Sequence, residues 1–181
     1  MPSKSLFNGQ SIKLAAPRVE DVETMLTWGQ DSDYLRNLDT DIAFPYSQEQ
    51  LELEGEPRSN EAYFRIRTIE DDELIGFVVI HKIEWNNRCG LLAIGIGDPN
   101  NRNKGYGKEA LQLILRFAFH ELNLHRVGLD YISYNPRAAR AYEAVGFKQE
   151  GVIRDAVYRD GVHSDRIMMG ILRSEWEASQ A

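Results

Sequence analysis

Runs of apolar residues with the two-residue period of β-strands dominate the middle of the chain. The segments 62–69, 74–83 and 89–97 are joined by polar turns, which predicts an antiparallel meander. The segment 89–97 is almost continuously apolar, so we expect it to be buried on both faces. The segment 126–132 predicts another buried strand.

Apolar residues at helical spacing mark two segments near the N-terminus and two in the second half. A first helix is predicted after Pro17, and a short second helix over 47–54 with Ser47 as its N-cap. The longest helix is predicted to start near Gly105, and another runs from Pro136 to 146. The apolar stripe of the longest helix consists of Leu111, Ile114, Leu115, Ala118 and Leu122.

These elements combine with a short first strand over 11–14 and a final pair of strands around the turn Asp160-Gly161. The resulting order is strand, helices, meander, helix, strand, helix and hairpin. That order predicts an α/β (α+β) fold in which a mixed, mostly antiparallel central sheet carries helices on its faces. A length of 181 residues suits one hydrophobic core, so we expect residues 1–181 to form a single domain.

The net charge of −7 is concentrated in one part of the chain. Residues 20–56 contain eleven acidic side chains and a single basic one, Arg36. This acidic segment is either the solvated face of two helices or a lobe that attracts cations. Its charge repels nucleic acid, so we expect no nucleic-acid partner.

Other function classes are disfavoured by what the sequence lacks. No apolar run approaches the roughly 20 residues of a membrane-spanning helix, and residues 1–10 have no signal-peptide core, so we expect no membrane association and a cytoplasmic location. The single cysteine, Cys89, fits a reducing compartment. The four histidines lack a metal-binding spacing, so we expect no metal cofactor.

The segment 91–110 carries the strongest functional signal. An apolar strand runs into a polar loop, and a helix starts near Gly105. Backbone N–H groups at a helix start have no partner within the helix, so this turn is suited to a pyrophosphate. Glycines at 105 and 107 let a ligand approach the backbone, and Arg102, Lys104 and Lys108 add positive charge. The spacing fits neither the P-loop nor the dinucleotide-binding fingerprint.

The pattern Arg102-x-x-Gly105-x-Gly107 resembles the acetyl-CoA-binding motif of the GNAT superfamily of N-acetyltransferases. The segment Asn135-Pro-Arg-Ala-Ala-Arg-Ala-Tyr-Glu-Ala-Val-Gly-Phe147 resembles a second motif of the same superfamily, Asn-x-x-Ala-x-x-x-Tyr-x-x-x-Gly-Phe. Segments 19–28, 150–154, 160–161 and 171–176 resemble the RimJ/RimL-like branch. Segment 123–126 and the second motif are also similar to polyamine N-acetyltransferases. The resemblance covers nearly the whole chain.

This resemblance implies a GNAT-like sheet whose two central strands splay apart, with acetyl-CoA as the cosubstrate. The pantetheine arm would enter the wedge between the strands, and the pyrophosphate would lie on the turn 102–107. The residues implied in acetyl-CoA binding are Ile94, Gly95, Ile96, Arg102, Asn103, Lys104, Gly105, Tyr106, Gly107, Lys108 and Asn135.

The implied chemistry is direct attack of an amine on the thioester. It needs a deprotonated amine, an oxyanion donor and an acid for the departing thiolate. Backbone N–H groups of 94–96 are candidates for the donor. The resemblance assigns the acid to Tyr142, whose alternative is an ordinary core aromatic on an amphipathic helix. Some relatives carry a glutamate where this chain has Ala93, so the base stays open between water and a carboxylate such as Glu84 or Asp33.

The identity of the amine acceptor is open. The resemblance and the acidic segment favour a polyamine or another small cationic amine. The alternatives are a protein N-terminal (ribosomal-protein-type) acetyltransferase with a peptide acceptor, and a non-catalytic acyl-CoA-binding module. Candidate acceptor-binding residues are Asp31, Asp33, Glu84 and Trp85. Relatives are commonly dimers, so a homodimer through the C-terminal hairpin is a candidate assembly.

Overall fold

The computed structural model describes residues 5–54 and 56–180, so Met1–Lys4, Gly55 and Ala181 lie outside the described residues. The strands are β1 (Ile12–Ala15), β2 (Ala62–Thr68), β3 (Leu74–Glu84), β4 (Cys89–Ile96), β5 (Arg126–Ile132), β6 (Lys148–Arg159) and β7 (Val162–Leu172). The helices are α1 (Asp21–Trp28), α2 (Ser32–Leu38), α3 (Gln48–Glu54), α4 (Tyr106–His120), α5 (Pro136–Glu143) and α6 (Arg173–Ser179), with a 3₁₀ turn at Pro99–Asn101.

The seven strands form one sheet in the order β1-β2-β3-β4-β5-β7-β6. β4 and β5 run parallel, and every other neighbouring pair is antiparallel. The predicted α/β (α+β) fold with a mixed, mostly antiparallel sheet is therefore confirmed. None of the described helices is both long enough and apolar enough to cross a membrane.

Helices cover both faces of the sheet. The main core lies under α4 and α5, where the predicted stripe residues Leu111, Ile114, Leu115 and Ala118 are buried. A smaller core lies on the opposite face under α1, α2 and α3, and its members are Met25, Trp28, Tyr34, Leu35, Leu51 and Leu74. The side of β4 that carries Gly95 faces α2, because a Cβ at Gly95 would touch Tyr34 and Leu38.

The sequence-based prediction lacks two helices, α2 and α6, and places the start of α1 too early. α1 begins at Asp21 and not directly after Pro17. α2 is only seven residues long and largely polar, so it has no clear apolar period; its signal is Asp31, whose carboxylate accepts the N–H groups of Asp33 and Tyr34 at 2.9 and 3.3 Å. α6 is another seven-residue helix, docked through Trp176.

β4 differs from the prediction of burial on both faces. Gly90, Leu92 and Gly95 are buried, but Ala93 and Ile94 are only half-buried. The reason is that the neighbouring strand leaves β4 partway along its length, which opens a space beside it. A nearly continuous apolar run is therefore compatible with a strand that borders a cavity.

A buried ion cluster attaches α1 to the sheet. The Asp21 carboxylate accepts a hydrogen bond from the Arg67 guanidinium of β2, and Arg65 Nε lies 3.6 Å from its other oxygen. All three side chains are at most 6% exposed. Because two buried cations share this one carboxylate, its loss would leave both without compensation.

We expect Asp21→Asn to lower the free energy of unfolding by about 3 kcal/mol or more, since breaking a buried ion pair from one side leaves an uncompensated charge. Urea denaturation measures this change. Glu23→Gln, on an exposed position of the same helix, should change stability by less than about 0.5 kcal/mol. Equal stability of the Asp21 and Glu23 variants would show that the cluster does not anchor α1.

Candidate active site

The two parallel strands at the centre of the sheet separate soon after they meet. Among the described residues, β4 and β5 pair only over 89–91 and 126–128. β4 continues to Ile96 and β5 to Ile132, and over this length β4 pairs on its other side with β3. The backbone groups that β4 turns toward β5 are thus available to an extended ligand, as at the edge of a sheet. The implied splay of the central strands is confirmed.

The gap between β4 and β5 opens into a cavity of about 960 Å³. On the side of α4 and α5 its lining includes Gly105, Gly107, Lys108, Asn135 and Tyr142. On the side of α1, α2 and α3 its lining includes Tyr34, Leu38, Tyr46, Glu54 and Tyr63. Groups carried on opposite faces of the sheet therefore meet in one space, whose volume is typical of a ligand-binding pocket.

The turn between β4 and α4 leaves its backbone uncovered. Gly105 has φ +86°, in the left-handed region, at the N-cap position of α4. A Cβ at Gly105 or Gly107 would meet no atom within 4 Å, so the backbone faces open space. The Arg102 guanidinium donates to the carbonyl oxygens of Ile96 and Gly97 at 3.3 and 3.0 Å, which ties the turn to the end of β4.

Positive charge is concentrated where α4 and α5 begin. The basic residues that line the cavity there are Arg102, Lys108, Arg137 and Arg140. Burial lowers the pKa of the Arg137 guanidinium, and the neighbouring charges of Arg102 and Arg140 lower it further. Such crowding of like charges is relieved by a bound anion. Because helix N-termini also present unpaired backbone N–H groups, this end of the cavity is suited to a diphosphate.

Asn135 and Tyr142 are positioned by α5. Asn135 is the N-cap, and its Oδ1 accepts the backbone N–H of Ala138 at 3.1 Å, which leaves the amide NH₂ as a donor. Tyr142 follows two turns later. Its ring packs against Phe147 and Tyr131, with centroids 5.9 and 6.1 Å away.

The Tyr142 hydroxyl has no hydrogen-bond partner within the part of the chain that the structure describes. The side chain is 8% exposed and lines the cavity. Burial raises the pKa of Tyr142, and the nearby charge of Asp130 adds to this, so the phenol stays protonated at neutral pH. Tyr142 therefore offers a protonated donor at the gap.

Acidic side chains dominate the side of the cavity under α1, α2 and α3. They are Asp33, Asp39, Asp41, Glu54, Glu61 and Asp130, against Arg58, Lys82 and Arg166 as the basic residues of the same part of the lining. Asp130 forms a bidentate ion pair with Arg166 at 2.6 and 2.9 Å. Burial raises the pKa of Asp39 and of Glu54. The net negative charge at this end favours a cationic ligand.

The structure brings most of the predicted site residues together, but not all. Of those implied in acetyl-CoA binding, all except Lys104 and Tyr106 line the cavity. Asp33 also lines it, whereas Asp31 caps α2. Glu84 accepts a hydrogen bond from Asn87 at 2.5 Å, and the 51% exposed Trp85 donates to the Ser59 carbonyl at 3.1 Å. These last two residues lie at the end of β3, outside the cavity lining.

Several lining residues are not singled out by the sequence pattern. They are Tyr34, Tyr63, His81, Asp130, Arg137, Arg140 and Arg166. Arg137 and Arg140 could have been found from their place in the first turns of the helix that Asn135 opens. The others carry no local signal, because they reach the cavity only through strand register and through packing of α2 onto the sheet.

Residues 11–148 match the family model of the acetyltransferase (GNAT) domain. The chain belongs to the GNAT acetyltransferase family. It is 28% identical over 172 residues to the SPbeta prophage-derived uncharacterized N-acetyltransferase YokL of Bacillus subtilis (strain 168), covering 94% of this chain and 95% of YokL. This membership and the full-length similarity make the protein an N-acetyltransferase.

Two further similarities of this GNAT chain involve a polyamine enzyme. It is 32% identical over 110 residues to spermidine N(1)-acetyltransferase of Vibrio cholerae, covering 60% of this chain and 63% of that protein. The crystal structure of spermidine N-acetyltransferase from Vibrio cholerae in complex with CoA and spermine matches with a TM-score of 0.83 at 24% identity, over 92% of this chain and 98% of that one. At this identity the structural likeness supports the GNAT fold.

Proposed function

We propose that the protein transfers the acetyl group of acetyl-CoA to a primary amine of a polyamine or another small cationic amine. The observation that carries this proposal is the single cavity with a cationic end at the starts of α4 and α5 and an acidic end under α1, α2 and α3. An anionic donor and a cationic acceptor can enter from opposite ends and meet at the gap between β4 and β5.

The donor end fits the chemistry of CoA. The open backbone at Gly105 and Gly107 and the guanidinium groups of Arg137 and Arg140 suit its phosphates. The uncovered edge of β4 and the Asn135 amide suit the peptide-like pantetheine arm. When bound, acetyl-CoA supplies an acetyl thioester at the gap.

The acceptor end fits a small amine that carries more than one positive charge. Its six carboxylates come from α2, α3, the loops beside them and the sheet, so they are spread over the lining rather than paired at one point. The 32% identity over 110 residues to a spermidine N(1)-acetyltransferase supports this acceptor class. A screen that follows thiol release with spermidine, spermine, aminoglycosides and short peptides tests the proposal; turnover with peptides alone would favour an N-terminal acetyltransferase instead.

Tyr142 is our candidate for the acid that protonates the departing thiolate. Its hydroxyl is protonated at neutral pH, its side chain lines the cavity, and thiolates are stronger bases than water. β4 backbone N–H groups near Gly95 are the candidates for stabilising the oxyanion.

We expect Gly107→Val to weaken CoA binding at least tenfold, about 1.4 kcal/mol, because a branched side chain would fill the open space at the turn. Gly107 is a better test than Gly105, whose positive φ strains any other residue. Calorimetry measures the affinity. Gly151→Val, in open space on β6, is the matched control and should bind CoA as the parent does; equal affinity of the two variants would contradict the placement.

We expect Tyr142→Phe to lower the single-turnover rate of acetyl transfer on the order of 10²-fold, since the ring is kept and the proton is lost. Melting temperature and CoA affinity should change little. Tyr131→Phe removes a hydroxyl from the adjacent ring and serves as the control. Tyr142 would be removed from the mechanism if Tyr142→Phe kept the parental rate, or if only Tyr131→Phe showed the decrease in rate.

We expect the double variant Asp33→Asn, Asp39→Asn to raise KM for spermidine on the order of tenfold, because two charges leave the acidic end. The Asp39→Asn substitution keeps the side-chain oxygen that accepts the backbone N–H of residue 41. The parental KM should rise with ionic strength, and less steeply in the variant. Glu23→Gln, Glu49→Gln removes two exposed acids outside the lining; an equal KM change there would mean that only net charge matters.

A further inference from the structure

A histidine lies beside the gap on the floor of the cavity. His81 is on β3, half-buried, and lines the cavity. In the register of β3 and β4, His81 is opposite Leu91 and Val79 is opposite Ala93. His81 and Ala93 are therefore diagonal neighbours on one face of the sheet, within reach of a side chain as long as histidine.

Where β4 lines the cavity, it presents no titratable side chain on this face. The residues that share the face there are Ala93 and Gly95, and neither carries a proton acceptor; Cys89 shares the face but lies at the start of β4, outside the cavity lining. A side-chain proton acceptor at the gap must therefore come from a neighbouring strand or from the covering helices.

The cavity-lining carboxylates on or beside the neighbouring strands already have partners, and so does the Tyr63 phenol, whereas burial raises the pKa of the Tyr131 phenol of β5 and keeps it protonated. Asp130 of β5 is held by Arg166, Glu61 before β2 faces Arg58 at 3.5 Å, and the Tyr63 hydroxyl accepts from Arg65. Within residues 5–54 and 56–180, the His81 imidazole has neither a hydrogen bond nor an ion pair. The remaining carboxylates, such as Asp39 and Glu54, belong to the covering segment and not to the strand beside β4.

The surroundings of His81 keep its ring neutral near pH 7. Burial lowers the pKa of His81, and the charge of Lys82 on the same strand lowers it further. The carboxylates of Glu61 and Asp130 act in the opposite direction with smaller effect, and both would stabilise an imidazolium once it formed. The ring thus offers a free lone pair and two charges that favour its protonated product.

We propose that His81 accepts the proton that the acceptor amine loses as its nitrogen attacks the acetyl carbonyl carbon. This inference rests on the proposed function. The C–N bond forms, the carbonyl electron pair moves to oxygen, and the nitrogen becomes positively charged and strongly acidic. One N–H proton passes to an imidazole nitrogen; the carbonyl re-forms as the C–S bond breaks, and Tyr142 protonates the sulfur. His81 then returns its proton to solvent and Tyr142 regains one, so a free thiol and an amide are the products.

The test compares His81→Ala and His81→Gln with His125→Gln, a surface histidine outside the cavity lining. The probe is single-turnover acetyl transfer to saturating spermidine. Both His81 variants should lose on the order of 10²-fold in rate, with parental melting temperature and CoA affinity. The parental rate should fall in a titration below about pH 6.5, because the base form is lost as pH drops through a lowered histidine pKa. That titration should be absent from both His81 variants, and imidazole should restore part of the rate of His81→Ala alone.

The titration decides the outcome. The inference about His81 is overturned if a His81 variant has the parental rate, or if a slow variant keeps the parental decrease in rate at acidic pH. In either case, turnover of spermidine by the parent still supports the proposed function. If the parent acetylates none of the amines in the screen, the proposed function fails and the role of His81 fails with it.

Discussion

The divergence of β4 and β5 is the constraint on which the rest of this structure depends. Parallel neighbouring strands need a crossover connection, and here α4 provides it. Because β4 and β5 are parallel, their C-terminal ends lie on the same side of the sheet. α4 and α5 are the next α-helices after these strands, and the first turns of both helices line the cavity beside the gap. Had the two strands stayed paired, the sheet would have separated its two faces, and no group under α2 could share a cavity with Tyr142.

The cavity at the gap also has ends of opposite charge. On a single open surface, solvent would screen the two potentials from such neighbouring groups. One end combines helix N-termini with crowded guanidinium groups, and the other carries carboxylates on a segment attached through Asp21. In a cleft of low dielectric such fields orient charged ligands strongly. The integrity of the acidic end thus depends on a buried ion cluster that takes no part in binding, because that cluster fixes where α1 lies on the sheet.

Regular patterns made much of the fold predictable. Apolar periodicity predicts the strand at 126–132 and the apolar stripe on α4. The glycines predict the turn before α4, because few backbone conformations require glycine. α2 is not predictable in this way because it is short and polar, and its burial depends on Tyr34 packing over Gly95. Proximity in sequence to a strand end likewise cannot tell that Glu84 lies outside the cavity lining. The register that puts His81 beside Ala93 becomes visible only once the sheet is assembled.

An acidic acceptor end raises a physical conflict, because carboxylates attract an ammonium group but also hold it in the protonated, unreactive form. Separation of tasks resolves the conflict for the proposed polyamine. The carboxylates of Asp39 and Glu54, which form no ion pair among residues 5–54 and 56–180, lie on the covering segment. The stretch of β4 at the gap, residues 92–96, is apolar, so a distal ammonium can stay charged as the reacting nitrogen enters an apolar site. Desolvation and repulsion from the distal ammonium both lower the pKa of that nitrogen. A neutral imidazole beside it then removes a proton without offering the fixed negative charge that would keep the amine protonated.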